Sequence, residues 1–381
     1  MTESALDIVV LGLSITSSWG NGHAVTYRAL VRALAERGHR VLFLERDVAW
    51  YAAQRDLPAP GYCEVALYTS LDDLRDRFGE RVRHADVVVQ GSFVPDGSAV
   101  ADWTLGTARG VKAFYDIDTP VTLAALERDA CTYLERRQVS RFDLYLSFTG
   151  GPTLLRLERE LGARRARPLY CSCDPAAYFP EERSPRWDLG YMGTYSADRQ
   201  GPLEALLFRP AVFAPKRRFV VAGALYPPEL AWPRNVARIE HLPPADHRAF
   251  YAAQRFTLNL TRADMRAAGH SPSVRLFEAA ACGVPILSDE WAGLEELFRP
   301  DEEILIVRSS GDVVRALERL SPGEARRIGR RAWLRVRAEH SAAQRAELLE
   351  RYLAQVWAGR APGAGRRGAA SGPGLSRASA R

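Results

Sequence analysis

The chain has 381 residues, a length that suits two domains better than one. Its apolar content of 47% is that of an ordinary globular protein, and no apolar run reaches the roughly 20 residues that cross a membrane. The formal net charge is +6, but residues 360–381 hold five arginines and no acid, which leaves about +1 for the rest. The body of the chain therefore gives no basis for predicting nucleic acid as a partner.

The N-terminus and the cysteines favour a cytoplasmic protein. Glu3 and Asp7 stand where a signal peptide would have basic residues, so we predict no signal peptide. The five cysteines are scattered and odd in number, and Cys171 and Cys173 lack a second pair at zinc-ligand spacing. We expect structural thiols in a reducing compartment and no metal site.

The first half of the sequence alternates short apolar runs with helical periodicity. Strands are predicted at 7–13, 41–44, 86–90, 112–115 and 144–148. A helix over 24–37 follows the first strand and ends before Gly38, a typical C-terminal cap. This alternation is typical of a parallel α/β sheet.

The pattern begins again near residue 188. Further strands are predicted at 189–192, 219–221, 256–260, 285–287 and 303–307, and the Pro-rich, charged stretch 168–187 is predicted to be a linker. We therefore predict two Rossmann-like, doubly wound domains that face a central cleft, residues 1–174 and 175–341. An amphipathic helix over 342–358 follows, and the tail 359–381, rich in Arg, Gly, Ala and Ser, is predicted to be disordered.

Ligands of open parallel sheets bind at the carboxyl ends of the strands, so each polar loop after a strand is a candidate. The first contains Gly20, Asn21 and Gly22, which allow close backbone approach, and His23 at the start of a helix. His23 is a candidate general base, with a capping or packing role as the alternative. The loop also imitates a dinucleotide fingerprint ending at Glu45, but the third glycine is replaced and the first lies too far from the strand.

Two further loops follow strands of the first half. Asp116 and Asp118 are candidates for a cleft contact or base, for a metal site or for a helix cap; as residues i and i+2 they can face opposite ways. Gly150 and Gly151 precede a helix with Pro152 near its start, which fits either an anion site or a plain turn.

Four stretches of the second half suit an anionic ligand with a sugar. Gly193 and Thr194 follow a strand with Arg199 in reach, which suits a diphosphate. The loop before residue 245 can present backbone amides to a base edge, and Arg262 follows another strand. The stretch 269–288 predicts a loop, a short helix and a strand, which places an anion at the helix start and Glu278 within reach of a sugar hydroxyl. The alternative is a surface pair between Arg275 and Glu278.

Two common nucleotide and nucleophile motifs are absent from the sequence. There is no Gly-Lys-Ser or Gly-Lys-Thr, so a P-loop kinase or ATPase is not indicated, and there is no Gly-x-Ser-x-Gly.

The run Arg275-x-x-Glu278-Ala279-x-Ala281-x-Gly283-x-Pro285 resembles the donor-site signature of GT-B glycosyltransferases, in particular those of family 4. Asp174 followed by Phe179-Pro180 resembles their linker motif. With Ser271-Pro272-Ser273-Val274 in front, the arrangement is most similar to the CgeB-like spore maturation glycosyltransferases.

The resemblance implies transfer of a sugar from a nucleotide donor, UDP- or GDP-linked, without a metal or other cofactor. It implies that Glu278 binds the ribose, that Ser273, Val274 and Arg275 surround the diphosphate with Gly193 and Thr194, and that His241 and Leu242 lie near the base. The terminal helix would cross back to the first domain. Family 4 enzymes carry a carboxylate at the position of His270, so His270 is expected to affect donor specificity.

We therefore predict a hexosyltransferase acting on an unknown acceptor, which can be a glycan, a lipid-linked molecule or a small molecule. His23 and Asp118 are equally good candidates for the base that an inverting reaction needs. Alternatives are a GT-B-fold nucleotide-sugar epimerase, a non-catalytic nucleotide-sugar-binding protein and an NAD-dependent oxidoreductase.

Overall fold

The computed structural model describes residues 5–360, and the predicted tail from residue 361 onward lies outside the described residues. Two parallel sheets form the framework and confirm the predicted α/β class with two Rossmann-like units. The first sheet has seven strands, in the spatial order β3-β2-β1-β4-β5-β6-β7: β1 (Asp7–Gly12), β2 (Arg40–Arg46), β3 (Glu64–Tyr68), β4 (Val87–Gly91), β5 (Val111–Asp116), β6 (Leu144–Ser147) and β7 (Ala166–Pro168).

The second sheet begins after the linker. Its six strands have the spatial order β10-β9-β8-β11-β12-β13: β8 (Trp187–Met192), β9 (Phe219–Ala222), β10 (Val236–Ile239), β11 (Gln254–Asn259), β12 (Ile286–Ser288) and β13 (Leu305–Ile306). Because every pairing within the two sheets is parallel, the carboxyl ends of all strands of a sheet lie at one edge.

Helices connect the strands and cover the sheets. In the first half they are α1 (Gly22–Glu36), α2 (Ala49–Ala52), α3 (Leu71–His84), α4 (Gly97–Thr107), α5 (Thr119–Glu127), α6 (Arg136–Val139) and α7 (Pro152–Arg159). In the second half they are α8 (Ala197–Leu203), α9 (Arg209–Phe213), α10 (Pro244–Ala252), α11 (Ala263–Ala268), α12 (Val274–Ala281), α13 (Leu294–Leu297), α14 (Ser310–Arg319), α15 (Pro322–Arg335) and α16 (Ala342–Arg360). Single π-helical turns over Glu204–Phe208 and Val336–His340 precede α9 and α16.

Each of the ten predicted strands has an observed counterpart whose ends differ by at most two residues. Three observed strands were not predicted: β3, β7 and β10, all of them at a sheet edge. An edge strand is covered on fewer sides than a central one, so its sequence lacks the long apolar run that marks a buried strand. The predicted linker is correspondingly shorter, since β7 occupies its first residue.

The last helix, α16, packs against α1 of the first half, and it continues to Arg360 rather than ending at residue 358. Glu350 on α16 accepts hydrogen bonds from Arg37 at 2.6 Å and from His39 at 2.8 Å. At its start the chain runs beside the linker, where the amide of Ala342 donates to the carbonyl of Cys173 at 3.1 Å. The chain thus passes twice between its halves at the same place.

Two sequence expectations concern the thiols and the membrane. All five cysteines are free, and three of them, Cys171, Cys173 and Cys282, are buried. Among the helices of residues 5–360, none combines the length and the apolar character that crossing a bilayer requires.

Candidate active site between the two sheets

The loop after β1 is held in place by a buried carboxylate. Glu45, at the end of β2, accepts hydrogen bonds from the amides of Ile15 and Thr16 at 2.8 and 3.0 Å and from the Thr16 hydroxyl at 2.6 Å. Glu45 is fully buried, so it cannot bind the ribose of a dinucleotide, which removes the main support for the NAD-dependent alternative.

The same loop delivers His23 to the cleft. The side chain of Asn21 accepts a hydrogen bond from the amide of His23 at 3.0 Å and so caps α1. Gly20 has φ +59° with open space around it, and Gly22 starts the helix. Gly20, Asn21 and Gly22 therefore shape the loop; only the two glycines lie on the surface, since Asn21 is buried.

The two candidate bases form one pair. Nε2 of His23 lies 3.2 Å from Oδ2 of Asp118, and the side chains are 11% and 26% exposed. Nδ1 of His23 is buried and has no hydrogen-bond partner among residues 5–360. The ring of Phe93 stands edge-on to the imidazole at 5.5 Å, and its backbone is in the left-handed region with φ +62°.

The prediction that Asp116 lines the cleft is wrong. Its carboxyl group is fully buried and accepts hydrogen bonds from the hydroxyls of Thr122 and Tyr145, both at 2.6 Å. Burial raises the pKa of Asp116 to about 6, against the lowering effect of these two hydrogen bonds. The reason is that residues i and i+2 at the end of a strand do not share surroundings once the chain turns: Asp116 ends β5, whereas Asp118 precedes α5.

Gly150 and Gly151 form a contact between the two halves rather than an open anion site. The amide of Gly150 donates to the carbonyl of His270 at 2.8 Å, and the hydroxyls of Thr149 and Ser271 lie 2.8 Å apart. Gly151 precedes α7 with φ +55°. Since one of the two glycine amides is already used, the turn alternative fits this loop better than the anion alternative.

His270 is packed into this contact between the halves. Its ring lies between Gly151 and Gly293, and a Cβ atom added at either position would stand 2.4 or 2.3 Å from the ring. Nδ1 of His270 lies 3.2 Å from Glu296, and the side chain is 17% exposed. In this arrangement the ring of His270 fills the contact between the halves, and its expected effect on donor specificity stays a prediction.

Two arginines, neither of them in an ion pair within residues 5–360, meet at the carboxyl end of β8. The guanidinium of Arg275 lies over the Tyr191 ring at 5.4 Å, and a Cβ added at Gly193 would be 3.1 Å from it. Arg199 donates to the carbonyl of Thr194 at 2.7 Å. Burial lowers the pKa of Arg199, and the charge of Arg275 lowers it further.

No carboxylate of residues 5–360 lies within 4 Å of either guanidinium. Nη1 of Arg275 is in addition buried without a hydrogen-bond partner in this part of the chain. Two partly buried cations that repel each other are stabilised by an anion between or beside them. The pair Arg199–Arg275 with Gly193 and Thr194 has the charge and the hydrogen-bond donors that a doubly charged anion such as a diphosphate would need.

The start of α12 adds backbone donors to this site. Ser273 is the N-cap residue, but its hydroxyl donates to Asn259 at 2.8 Å instead of capping the helix. The amides at the start, from Val274 onward, therefore lack a side-chain cap next to Arg275. Arg262 is exposed and precedes α11, whose first amide, that of Ala263, donates to Asp198 at 2.8 Å. Asn259 was not among the sequence candidates.

Glu278 is buried and does not line the site at Arg199 and Arg275. Its side chain is 2% exposed, and its oxygens accept hydrogen bonds from the hydroxyls of Tyr178 at 3.0 Å and Tyr251 at 3.2 Å. The ribose contact that the resemblance implies is not open in this arrangement, because the two tyrosines cover the carboxylate. Sequence reasoning missed both tyrosines; Tyr178 lies next to the Phe179-Pro180 linker motif, which was the available signal.

The loop after β10 closes one end of the cleft. His241 is exposed, and its ring centroid lies 4.6 Å from that of Trp19 in the first half. The carbonyl of Leu242 lies 3.2 Å from Nε2 of His247 on α10. His241 and Leu242 thus lie at the second-half wall of the cleft, opposite the loop that carries His23.

No group of three or more side chains in residues 5–360 is arranged to hold a metal ion. The positive charge at the cleft comes from arginine side chains and helix termini.

Comparison with known proteins agrees with this architecture. Residues 199–351 match the sequence model of the glycosyl transferase-like family. No curated protein matches the chain in sequence.

Solved structures match over nearly the whole chain. Sucrose-phosphate synthase from Thermosynechococcus elongatus aligns with a TM-score of 0.64 and 15% identity, over 93% of this chain and 100% of that one. Anabaena HepE, solved with UDP and glucose, aligns with a TM-score of 0.66 and 14% identity, over 92% and 99%. An alpha-glucosyltransferase solved with UDP and DNA aligns with a TM-score of 0.71 and 13% identity, over 92% and 100%. The chain shares the GT-B fold with these solved structures, and its residues 199–351 match the glycosyl transferase-like family model.

Proposed function

We propose that this protein is a glycosyltransferase that moves a hexose from a UDP- or GDP-linked donor to a hydroxyl group. The observation that carries the proposal is the pair of guanidiniums of Arg199 and Arg275 without a carboxylate partner in the described residues, at the carboxyl end of the second sheet, together with the His23–Asp118 pair at the carboxyl end of the first. Sugar transfer needs positive charge beside the leaving diphosphate, and an inverting transfer also needs a base for the acceptor hydroxyl.

The reaction follows from this placement. The acceptor oxygen attacks the anomeric carbon, and the bond from that carbon to the diphosphate oxygen breaks. Arg199, Arg275 and the uncapped amides at the start of α12 neutralise the charge that develops on the leaving diphosphate. The acceptor proton passes to the His23–Asp118 pair, whose Nε2 and Oδ2 atoms lie 3.2 Å apart. We propose that no metal takes part.

A base on the acceptor side serves a single displacement, so we propose inversion at the anomeric carbon. We also retain the resemblance to the CgeB-like enzymes, which rests on residues 271–285, as a proposal. UDP-glucose is the first donor to test, because HepE and the alpha-glucosyltransferase have both been solved with it. Nucleic acid is not among the acceptors that we propose, although that neighbour was solved with DNA, because the chain outside its tail is nearly neutral.

The test is a screen of UDP- and GDP-sugars by thermal shift, followed by calorimetry and by an assay of nucleotide release. We expect one nucleotide-sugar to bind and its nucleotide to be released faster when an acceptor is added. Release with an altered free sugar and no acceptor would indicate an epimerase, and binding without any release would indicate a binding protein. Absence of binding to every nucleotide would overturn the proposal.

A further inference from the structure

A chain of hydrogen bonds connects the buried Glu278 to the loop after β10. The Tyr178 hydroxyl lies 3.0 Å from Oε1 of Glu278 and 3.0 Å from Nδ1 of His247. Nε2 of His247 lies 3.2 Å from the carbonyl oxygen of Leu242. The linker, α10, α12 and the loop with Leu242 are therefore joined through one imidazole, whose side chain is 12% exposed.

The direction of each bond fixes the protons in this chain. The carbonyl of Leu242 only accepts, so Nε2 of His247 must carry a hydrogen. An ionised Glu278 also only accepts, so Tyr178 donates its one proton to Glu278. The oxygen of Tyr178 is then an acceptor, and its remaining partner, Nδ1 of His247, must donate. Both ring nitrogens of His247 are protonated in this pattern.

The opposite pattern of donors and acceptors needs a neutral Glu278 that donates to Tyr178. The groups around Glu278 favour the carboxylate instead. Two phenol hydroxyls donate to the carboxylate, which stabilises its charged form. The imidazolium, 3.9 Å from Oε1, supplies the counter-charge that a buried carboxylate needs.

His340 shows the contrasting case in the same protein. Its Nε2 also faces a carbonyl, that of Leu297 at 3.3 Å, but its Nδ1 lies 3.1 Å from Arg345, which only donates. Burial and the charge of Arg345 lower the pKa of His340 to about 3. His340 is therefore neutral, with one protonated nitrogen, and serves as an internal standard.

We propose that His247 is held as an imidazolium by Glu278 and Tyr178 and acts as a positioning residue for the loop at Leu242, at the second-half wall of the cleft. When His247 loses its proton, the ring can keep its bond to Leu242 or its bond to Tyr178 in the direction described, but not both. The loop is then released from the buried carboxylate. The consequence for nucleotide binding rests on the proposed function.

The other ionisable groups around Glu278 keep their protons. Burial raises the pKa of Tyr178, Tyr251, Cys171, Cys173 and Cys282 well above the ordinary values. The charged side chains nearby are those of Arg275, Arg345, Arg248, Asp174 and Glu181, and Arg248 pairs with Glu181 at 3.3 Å. His247 is the imidazole of this cluster, and its two ring nitrogens are the atoms that the test below follows.

Nitrogen-15 NMR of the full chain labelled at histidine tests the protonation state. The His247 signals are identified by their loss in His247→Gln. At pH 7 we expect two protonated ring nitrogens for His247 and one for His340. Two variants check the cause: Tyr178→Phe should change the Nδ1 signal of His247, whereas Tyr62→Phe, a half-buried tyrosine elsewhere, should not. A single protonated nitrogen on His247 in the wild type at pH 7 would overturn the inference.

Calorimetry with UDP and GDP tests the consequence for the loop. We expect the dissociation constant to rise about tenfold as His247 loses its proton, at the pH where its NMR signals change, and we expect no such step in His247→Gln. A pH-independent affinity in the wild type would overturn the positioning role. If neither nucleotide binds at any pH, the proposed function fails, but the NMR experiment still decides the protonation of His247.

Discussion

Nε2 of His23 lies 3.2 Å from Oδ2 of Asp118, so two residues that are 95 positions apart in sequence form one acid–base pair at the wall of the cleft. The pair joins the start of α1 to the residue before α5.

The pair predicts a selective loss of turnover. His23→Ala and Asp118→Asn should each lower kcat by about 10²- to 10⁴-fold, because each removes the group that accepts the acceptor proton or its partner. The nucleotide dissociation constant should stay within about twofold, since neither residue touches the arginine site. Steady-state kinetics and calorimetry measure the two quantities.

His84→Ala is the control for the loss of a histidine, because His84 lies on the surface of α3. An unchanged kcat in both cleft variants would refute the assignment of the base. The stereochemistry of the product, followed by proton NMR, decides whether the displacement inverts.

Arg275 and Arg199 predict the strength of diphosphate binding. Each of Arg275→Ala and Arg199→Ala should weaken UDP or GDP binding by about 10- to 100-fold, the range expected for charge-assisted hydrogen bonds. Arg326→Ala is the matched control, since Arg326 is an exposed arginine on α15. Calorimetry with nucleoside diphosphate and with the free nucleoside separates the contributions: the nucleoside should bind all three variants alike. Equal losses for Arg326 and Arg275 would contradict the site.

Asp116 predicts a pH-dependent stability. Its folded-state pKa, about 6, lies above the ordinary 3.8, so its contribution to stability is present below pH 3.8 and is lost as the pH rises through 6. Above pH 6 the ionised form of Asp116 lowers the free energy of unfolding by about 3 kcal/mol. Asp116→Asn should therefore gain stability relative to wild type between pH 4 and pH 7, by up to that amount, in urea unfolding.

Asp56 supplies a control of opposite sign. Burial raises the pKa of Asp56, but hydrogen bonds from Arg28 and Ser18 outweigh burial and hold the pKa at about 2. Its contribution is present above pH 3.8 and is lost as the pH falls through 2. Asp56→Asn should be less stable than wild type near neutral pH, and this difference should disappear at low pH. Asp116→Asn should instead stay more stable than wild type at high pH. The same trend in both variants would contradict the cause given for Asp116.

The contact of Gly151 with His270 predicts how much stability is lost when a larger residue stands at position 151. Gly151→Ala introduces a Cβ 2.4 Å from the ring of His270, at a backbone φ of +55°. Gly20 has nearly the same φ, +59°, but nothing within 4 Å of the added atom. Gly20→Ala reports an alanine at positive φ without a steric neighbour, about 1–2 kcal/mol. Gly151→Ala should cost more, because its ψ of −139° at positive φ is a conformation that only glycine adopts readily and because the added atom also meets the His270 ring. Urea unfolding measures the loss of stability in both variants. Equal losses would show that the contact between the halves adjusts to the added methyl group without cost.

The sequence allowed the central strands to be predicted, and the reason is their burial. β1, for example, is buried from Ile8 to Gly12 and reads as a continuous apolar run. Three of the four edge strands, β3, β7 and β10, were not predicted, because partial burial leaves no such run; Val65 to Leu67 in β3, for example, are only half-buried.

Sequence reasoning placed His23, Asp118, Gly193 and Arg275 in loops or helix starts after strands, and the structure has them there; their roles stay predictions. The site was not predictable where a distant partner decides. Asp116 is removed from the cleft by Tyr145, Glu278 is covered by Tyr178, and the ring of His270 is held by Gly151 and Gly293. These pairings depend on packing between segments, which a local pattern does not contain.

The hydrogen bonds that Glu45 accepts from the loop after β1 have a consequence for the redesign of this loop. Two of its three hydrogen bonds come from backbone amides, of Ile15 and Thr16, which any residue except proline provides. The loop's attachment is therefore largely independent of the side chains that follow it, including Trp19 and Gly20 beside the cleft. Libraries that vary those positions while Glu45 is kept should yield folded proteins, and this loop is the place to begin when a new acceptor is sought.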